Sequence, residues 1–440
     1  VFIAKVHNIR ITLQLCNAAA VMRNYKSWLH HTMVMIVGTA LGQIISVASI
    51  PIISRLYSPQ MFGEQAALLS IIAPLVTIAS MAFPIAIVLA DNKRQVNALA
   101  YLSTISTTAV GIIAFFALSR SDYWLLSQLG LTSVADYVYI IPIWATLISI
   151  NMCATQYLLR NENFVLSAQL AAMSSLIGNL GKIGLGAIIP STFTLIIGNI
   201  IIVVLTPIVA ILHLRQRLFF LRPPTLKYGL ETFYKFREFA LYRAPQNAIA
   251  AASQSIPIFA LSAFYGPSSA GYFAMSLALL SIPVTLIGNS VQSVLYPKFV
   301  QEVRSGKRIF GRVVVSTIAL ITLGVVALTP VTIIPQRFYT LLLGNAWADL
   351  APYTVALIPS LIMGLANRPV VSVMPIFALQ RHLLLYELCS TTAKFVAVAI
   401  AVKMNFTPEG LTLAFATANA LFYAILISLV ILYLYNRKIP

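Results

Sequence analysis

The sequence predicts an all-α membrane protein of twelve transmembrane helices, built as two parallel six-helix repeats around a central cavity. Three observations carry this. The 440 residues are 59% hydrophobic and only 9% charged, against roughly 25% charged in globular domains, so most of the chain must face lipid or other helices. Twelve apolar runs each approach the ~20 residues that a span needs. Finally, Tyr57-Ser58-Pro59-x3-Gly63 recurs as Tyr265-Gly266-Pro267-x3-Gly271, 208 residues further on. A motif repeated at nearly half the chain length marks two similar halves in tandem.

The apolar runs cover roughly 33–54, 64–90, 96–118, 137–159, 164–189, 194–214, 245–265, 271–296, 313–334, 352–378, 383–403 and 411–435. They lack period-2 alternation, which favours helices over a barrel. The order divides the chain into an N-terminal segment (1–32), a first lobe (33–214), a basic linker (215–244), a second lobe (245–435) and a short tail (436–440). Six spans per half is an even number, so both halves enter the membrane in the same direction. Such repeats are related by a pseudo-twofold axis along the membrane normal and place a transporter's substrate path between them.

Charge sets the expected direction. The net charge is +18, from 29 Lys and Arg against 11 Asp and Glu. In a soluble protein that excess suggests nucleic acid; here the bases cluster in short loops between apolar runs, so no nucleic-acid partner is expected. The termini and the even-numbered loops hold 22 Lys and Arg, including seven in 215–243 and five in 298–312, while the opposite side holds 4. The positive-inside rule then places both termini in the cytoplasm. Residues 1–21 read poorly as a signal peptide, because Gln14 and Asn17 interrupt the run Ile11–Val21. Met22 as the natural start would make the preceding segment a non-native extension. Cys16, Cys153 and Cys389 show neither paired nor metal-ligand spacing; Cys153 and Cys389, within apolar runs, read as small buried hydrophobes.

Further pairs link the halves. Ile50-Pro51-Ile52 recurs as Ile256-Pro257-Ile258, and Ala135-x-Tyr137 with Pro142 parallels Ala351-x-Tyr353 with Pro359. In the repeated turn, Pro presets φ and Gly tolerates positive φ. Both copies fall on the expected periplasmic side, between spans 1 and 2 and spans 7 and 8. They read first as turns of helical hairpins, with hinge or gate geometry as the functional alternative.

Three stretches carry a family resemblance. The first is Pro51-Ile-Ile-Ser-Arg55-Leu-Tyr57-Ser-Pro59-x3-Gly63. The second is Tyr242-Arg243-Ala-Pro245-Gln246-Asn247, running through Gly266-Pro267-x-x-Ala270-Gly271-Tyr272 to Ile282-Pro283, Gly288-Asn-Ser290 and Tyr296-Pro297. The third is Gly344-Asn-Ala-Trp347-x3-Ala351. Together they resemble the Wzx-type flippases of O-antigen and capsule repeat units, within the multidrug/oligosaccharidyl-lipid/polysaccharide exporter superfamily. The resemblance implies an inner-membrane flippase, not an enzyme, that moves an undecaprenyl-diphosphate-linked oligosaccharide from the cytoplasmic to the periplasmic leaflet by alternating access. It also implies membrane lipid, a polysaccharide polymerase and a chain-length regulator as partners, and no cofactor. Proton, sodium and glycan polymerisation all stay open as the driving force.

The candidate substrate-binding residues are Lys182, Arg368 and Lys394, followed by Arg243 and Arg55 at the mouths of spans 7 and 1. A cation at the centre of a helix in lipid costs ~2.5–3.5 kcal/mol on insertion scales. Three lipid-facing cations would together approach the stability of a whole domain. A hydrated cavity rich in positive charge is the alternative, and it suits a lipid pyrophosphate. The span directions place Lys182 in the outer half, Lys394 near mid-depth and Arg368 cytoplasmic of centre, as a ladder across the bilayer. Glu387 is the nearest carboxylate to neutralise them. The blander reading is that one or more snorkels to an interface.

Asn151, Asn179, Asn199, Asn247, Asn289, Asn367 and Asn419 lie in spans, where interhelical hydrogen bonds are the first expectation and sugar contacts the second. Gly178, Gly181, Gly184 and Gly186 thin span 5, and Gly38-x3-Gly42 does the same for span 1. Pro359, Pro369 and Pro375 predict kinks in span 10 beside Arg368. Other chemistry is missing. Gly181-Lys182 lacks a P-loop's first glycine, since Leu176 stands there, and Ile183 replaces its Ser/Thr. His30-His31 has no partner cluster, so no metal site and no catalytic set is expected. A glycan polymerase or acyltransferase needs a larger loop than the ~17–18 residues available here. A drug/cation antiporter of the same superfamily needs intramembrane carboxylates in the first half; spans 1, 3, 4, 5 and 6 contain none, and Glu64 sits at the rim of span 2.

Overall fold

The computed structural model describes residues 38, 40–120, 126, 131–213, 223–377 and 379–436. Helices and turns make up the described chain, and twelve helices occupy the twelve expected positions. The first lobe holds α1 (Ala40–Leu56), α2 (Pro59–Ala79), α3 (Lys93–Arg120), α4 (Ile140–Arg160), α5 (Phe164–Ile188) and α6 (Thr192–His213). The second holds α7 (Ala244–Tyr265), α8 (Pro267–Arg304), α9 (Phe310–Leu328), α10 (Leu350–Ala366), α11 (Gln380–Lys403) and α12 (Pro408–Asn436). Ten of these are long and apolar enough to cross a membrane; α1 is a shorter apolar helix and α4 has 21 residues. This is a multi-pass membrane protein. The alternative start at Met22, Cys16, His30-His31, the linker bases before residue 223 and Arg437-Lys438 lie outside the described residues.

Proline and glycine punctuate the helices as their chemistry requires. At α2, Ser58 accepts the Met61 N–H at 3.4 Å and Pro59 takes the first turn, where its missing N–H costs nothing. At α8, Gly266 turns the chain at φ +88° ahead of Pro267. The run 64–90 is not one helix. It stops at Ala79, because Pro84 has no N–H to give and its ring clashes with the carbonyl four residues back. Met81 and Ala82 adopt left-handed φ of 55° and 53° before the short helix Phe83–Ala86. Span 10 likewise breaks at Asn367, two residues before Pro369, and resumes as Arg368–Val373.

Each lobe buries its own core. Trp144, Leu68 and Ile141 pack in the first lobe, and Phe273, Tyr353 and Phe415 in the second. The linker helix Leu226–Lys235 and the π-helical turn Phe239–Arg243 lead into α7. Phe236 at the helix end is buried with Phe83 and Tyr157 of the first lobe. Lys235 pairs with Asp91, and Tyr228 donates to Asn92 Oδ1 at 3.2 Å. Cys153 is buried, as expected of a small hydrophobe, but Cys389 is not. It faces outward from α11, where lipid solvates a thiol as readily as a protein core does.

Candidate functional site

The two motif copies meet. A Cβ added to Gly63 would overlap the Pro267 carbonyl oxygen, and one added to Gly271 would overlap the Pro59 carbonyl oxygen. The contact is reciprocal across the pseudo-twofold axis, and it joins α2 of one lobe to α8 of the other. Glycine is required because any side chain would force the backbones apart. The motif tyrosines brace the same end: Tyr57 Oη donates to the Lys182 carbonyl at 2.7 Å, and Tyr265 Oη to the Phe406 carbonyl at 2.5 Å. Each thereby ties its turn to the fifth helix of its own lobe or the turn just beyond it.

Trp347 completes this closure. It is fully buried, and its indole N–H donates to the Ser54 carbonyl at 2.8 Å. Its ring meets Phe62 edge-on at 5.2 Å and Tyr272 at 5.9 Å. The cluster around it, with Met275 and Leu343 against Ile50 and Phe62, draws on both lobes. At the opposite, basic end the buried clusters stay apart: Phe83, Tyr157 and Phe236 belong to the first lobe and linker, Phe299, Val373 and Leu434 to the second. The molecule is shut at the motif end.

Behind that closure lies a cavity of about 580 Å³ between the lobes, walled by α1, α2, α5 and α6 on one side and by residues 274–282 of α8 on the other. Among the described residues, Lys182 is its sole charged lining residue. The lysine stem crosses Gly198 of α6, where a Cβ would overlap its Cγ. Its ammonium has no hydrogen-bond or ion-pair partner among the described residues. Asn179, one turn away, donates to Ser46 Oγ at 3.2 Å and ties α5 to α1, the interhelical role expected of it.

Arg368 and Lys394 sit in the second lobe. Arg368 lines a cavity of about 530 Å³ with Glu387, Asn367, Asn419 and Tyr423, its guanidinium laid over Gly288. Lys394 lines an adjoining pocket of about 340 Å³ that shares Gln254, Glu387 and Tyr423. Lys394 is 3% exposed and donates to Ser253 Oγ at 2.9 Å. The three intramembrane cations thus line three cavities, two of which meet the third through shared walls: Ser281 borders both the 580 and the 530 Å³ spaces.

Arg55 and Arg243 line none of these cavities. Arg55 Nη2 donates to the Leu341 carbonyl at 2.7 Å and bridges the lobes beside Trp347. Arg243 is exposed at the basic end, within reach of Gln246 Oε1 at 3.5 Å. Arg55 is therefore part of the closure rather than the cavity, for it stands on the last turn of α1 at the sealed end. Sequence reasoning did not find Gly198. A lone glycine in an apolar helix carries no sign that a lysine from the neighbouring helix crosses it. Trp347 stood within a motif, but nothing in the order of residues showed that its partner is Ser54, 293 positions away.

The model of the polysaccharide biosynthesis protein family matches residues 52–352. The chain belongs to that family. No curated protein matches it. Among solved structures, this polysaccharide biosynthesis protein is similar to a multidrug resistance MATE family transporter of the MOP superfamily in its inward-facing conformation. There the TM-score is 0.66 at 12% identity, over 91% of this chain and 94% of the other. An outward-facing MATE family transporter gives a TM-score of 0.58 at 13% identity, over 93% and 96%. The lipid II flippase MurJ, in an inward closed conformation, gives 0.60 at 13% identity, over 93% and 88%. At these identities the likeness is one of fold, and this chain shares the fold of these MATE family transporters and of MurJ.

Proposed function

We propose that this protein is a flippase that carries an undecaprenyl-diphosphate-linked oligosaccharide from the cytoplasmic to the periplasmic leaflet of the inner membrane, for O-antigen, capsule or exopolysaccharide assembly. The observation that carries the reading is the Lys182 ammonium in an inter-lobe cavity, without a partner or a lining carboxylate among the described residues. A half-buried ammonium within the membrane and without a counter-ion is costly, and an anion arriving from the basic end supplies one. A diphosphate meets a lysine as a point charge. The glycan then occupies the polar second-lobe spaces and the polyprenyl tail stays in lipid. Arg368 and Lys394 add positive charge along the route.

In this reading the basic end is cytoplasmic, as the positive-inside rule requires. The sealed motif end is then periplasmic, and the described state faces inward. The higher TM-score to an inward-facing than to an outward-facing transporter supports that orientation. Family membership supports the glycan, and the shared fold of a lipid II flippase supports a lipid-linked cargo. A drug/cation antiporter reading has the wrong sign of charge at Lys182.

The test is the lipid fraction of a strain lacking the protein. A lipid-linked saccharide should accumulate on the cytoplasmic side, wild-type protein should clear it, and Lys182→Ala at matched expression should not. No accumulation overturns the reading in favour of an antiporter. An unpolymerised product already outside overturns it in favour of an enzyme.

A further inference from the structure

We infer that the linker helix Leu226–Lys235 is a phospholipid-binding surface. It lies in the leaflet at the basic end, with Leu226, Leu230 and Tyr234 among the acyl chains and neighbouring cations on anionic headgroups. The inference goes beyond the flippase reading, for it needs the bilayer and not the cargo.

Helix periodicity sorts these residues into three faces. Gly229, Thr232 and Phe236 are buried, and Phe233 meets Phe83 edge-on at 5.9 Å, so this face docks on the first lobe. A second row, Lys227, Glu231 and Lys235, is charged and exposed. The third row, Leu226, Leu230 and Tyr234, is apolar, yet 82%, 51% and 63% exposed. Both exposed rows step by four residues, so each keeps to one face along the helix. An exposed apolar row marks a surface that something covers. A helix lying in the membrane interface has this division, with one face among acyl chains and another among headgroups and water.

Depth identifies the cover as lipid. Lys235 pairs with Asp91, and Tyr228 donates to Asn92 Oδ1. Both acceptors stand between the end of the apolar run 64–90 and Lys93, the first residue of the membrane-length helix α3. The linker helix is therefore moored where the hydrocarbon ends. Val88 and Leu89, just before this mooring, are exposed apolar residues, as are Leu241 and Tyr242 between the linker helix and α7. Tyrosines such as Tyr234 and Tyr242 favour that depth, with the ring in the interface and the hydroxyl at the headgroups.

Charge fits the same occupant. Lys93 and Arg94 are exposed beside the mooring, and Lys227 beside the apolar row. None of the three is in an ion pair among the described residues. Basic groups at the membrane surface attract anionic phospholipid.

The test uses full-length protein in nanodiscs, a single copy to each disc, with Cys16→Ser, Cys153→Ala and Cys389→Ser removing the native thiols. Spin labels go on Leu230→Cys and, separately, on Glu231→Cys. Both positions are exposed, on the apolar and the charged row, so neither label disturbs a core. Power saturation compares molecular oxygen, which concentrates in lipid, with a water-soluble nickel chelate. The ratio of oxygen to nickel accessibility should be severalfold higher at 230 than at 231. Equal ratios overturn the inference and leave the apolar row to a protein partner. A label at 230 that neither reagent reaches also overturns it, in favour of cover by another part of this chain. Adding phosphatidylglycerol to phosphatidylcholine discs should raise the ratio at 230, and Lys93→Gln with Arg94→Gln and Lys227→Gln should remove that rise. A ratio indifferent to phosphatidylglycerol overturns the headgroup half of the inference.

Discussion

Gly63 and Gly271 are each other's counterpart and each other's neighbour: both face the carbonyl of the opposite lobe's motif proline, Pro267 for Gly63 and Pro59 for Gly271. A pseudo-twofold axis that relates the lobes must pass between such a pair. The motif end therefore closes by backbone meeting backbone, with no side chain interposed. In the proposed alternating-access cycle, this backbone contact is the gate that parts when the motif end opens.

Gly63→Ala and Gly271→Ala are each expected to hold the lobes apart at the motif end. Overpacking of this kind costs typically about 1–3 kcal/mol, enough to shift a two-state equilibrium by roughly 5- to 150-fold. Spin labels placed on the two motif turns should report a longer distance in either variant, with transport reduced in both. Equal distances in variant and wild type would show that the contact does not control the gate.

Gly198→Ala leaves every charge in place and should still imitate Lys182→Ala. The new methyl group would occupy the path of the lysine stem across α6, so the ammonium must leave its position over the cavity. Surface polysaccharide at matched protein level is the readout, and wild-type output would show that the lysine's placement is unimportant.

Trp347→Phe keeps most of the ring packing and removes the indole N–H. The Ser54 carbonyl then loses a buried donor, at a cost of about 1–3 kcal/mol for the group left unsatisfied. Trp347→Ala should cost more, about 3–5 kcal/mol, because it empties a fully buried site between the lobes. Accessibility of a cysteine at Ser54 to a membrane-impermeant maleimide should rise in the order wild type, Phe, Ala.

Lys235 holds the Asp91 carboxyl below the ordinary aspartate range, first through its hydrogen bond and then through its charge. A depressed folded-state pKa means that the pair's contribution is fully present above the ordinary value of about 4. It is lost as pH falls through the lower folded value. A spin label at Glu231→Cys on the linker helix should stay immobile at neutral pH and loosen in acid. Lys235→Ala should loosen it already at neutral pH.

The path from sequence to fold was short for the helices and long for the contacts. Every span appears where an apolar run ends in charge or in Pro and Gly, because lipid leaves a backbone no partner except its own helix. The exceptions are local: Pro84 cuts the second run short and Pro369 breaks the tenth. Burial was read less well. Cys389 looked like a core thiol because lipid-facing and core-facing positions carry the same apolar residues. Lys182, Arg368 and Lys394 stood out by charge alone.

Composition, the order of apolar runs and the repeated Tyr-x-Pro-x3-Gly were enough for a twelve-helix protein of two equivalent lobes, since those features follow from chain-local rules of lipid solvation and turn geometry. The closure at the motif end, Arg55 as a bridge between the lobes and the separation of the cations into distinct cavities came from packing in three dimensions. These depend on which helix faces lie against each other across 200 or more residues, and no local rule encodes that.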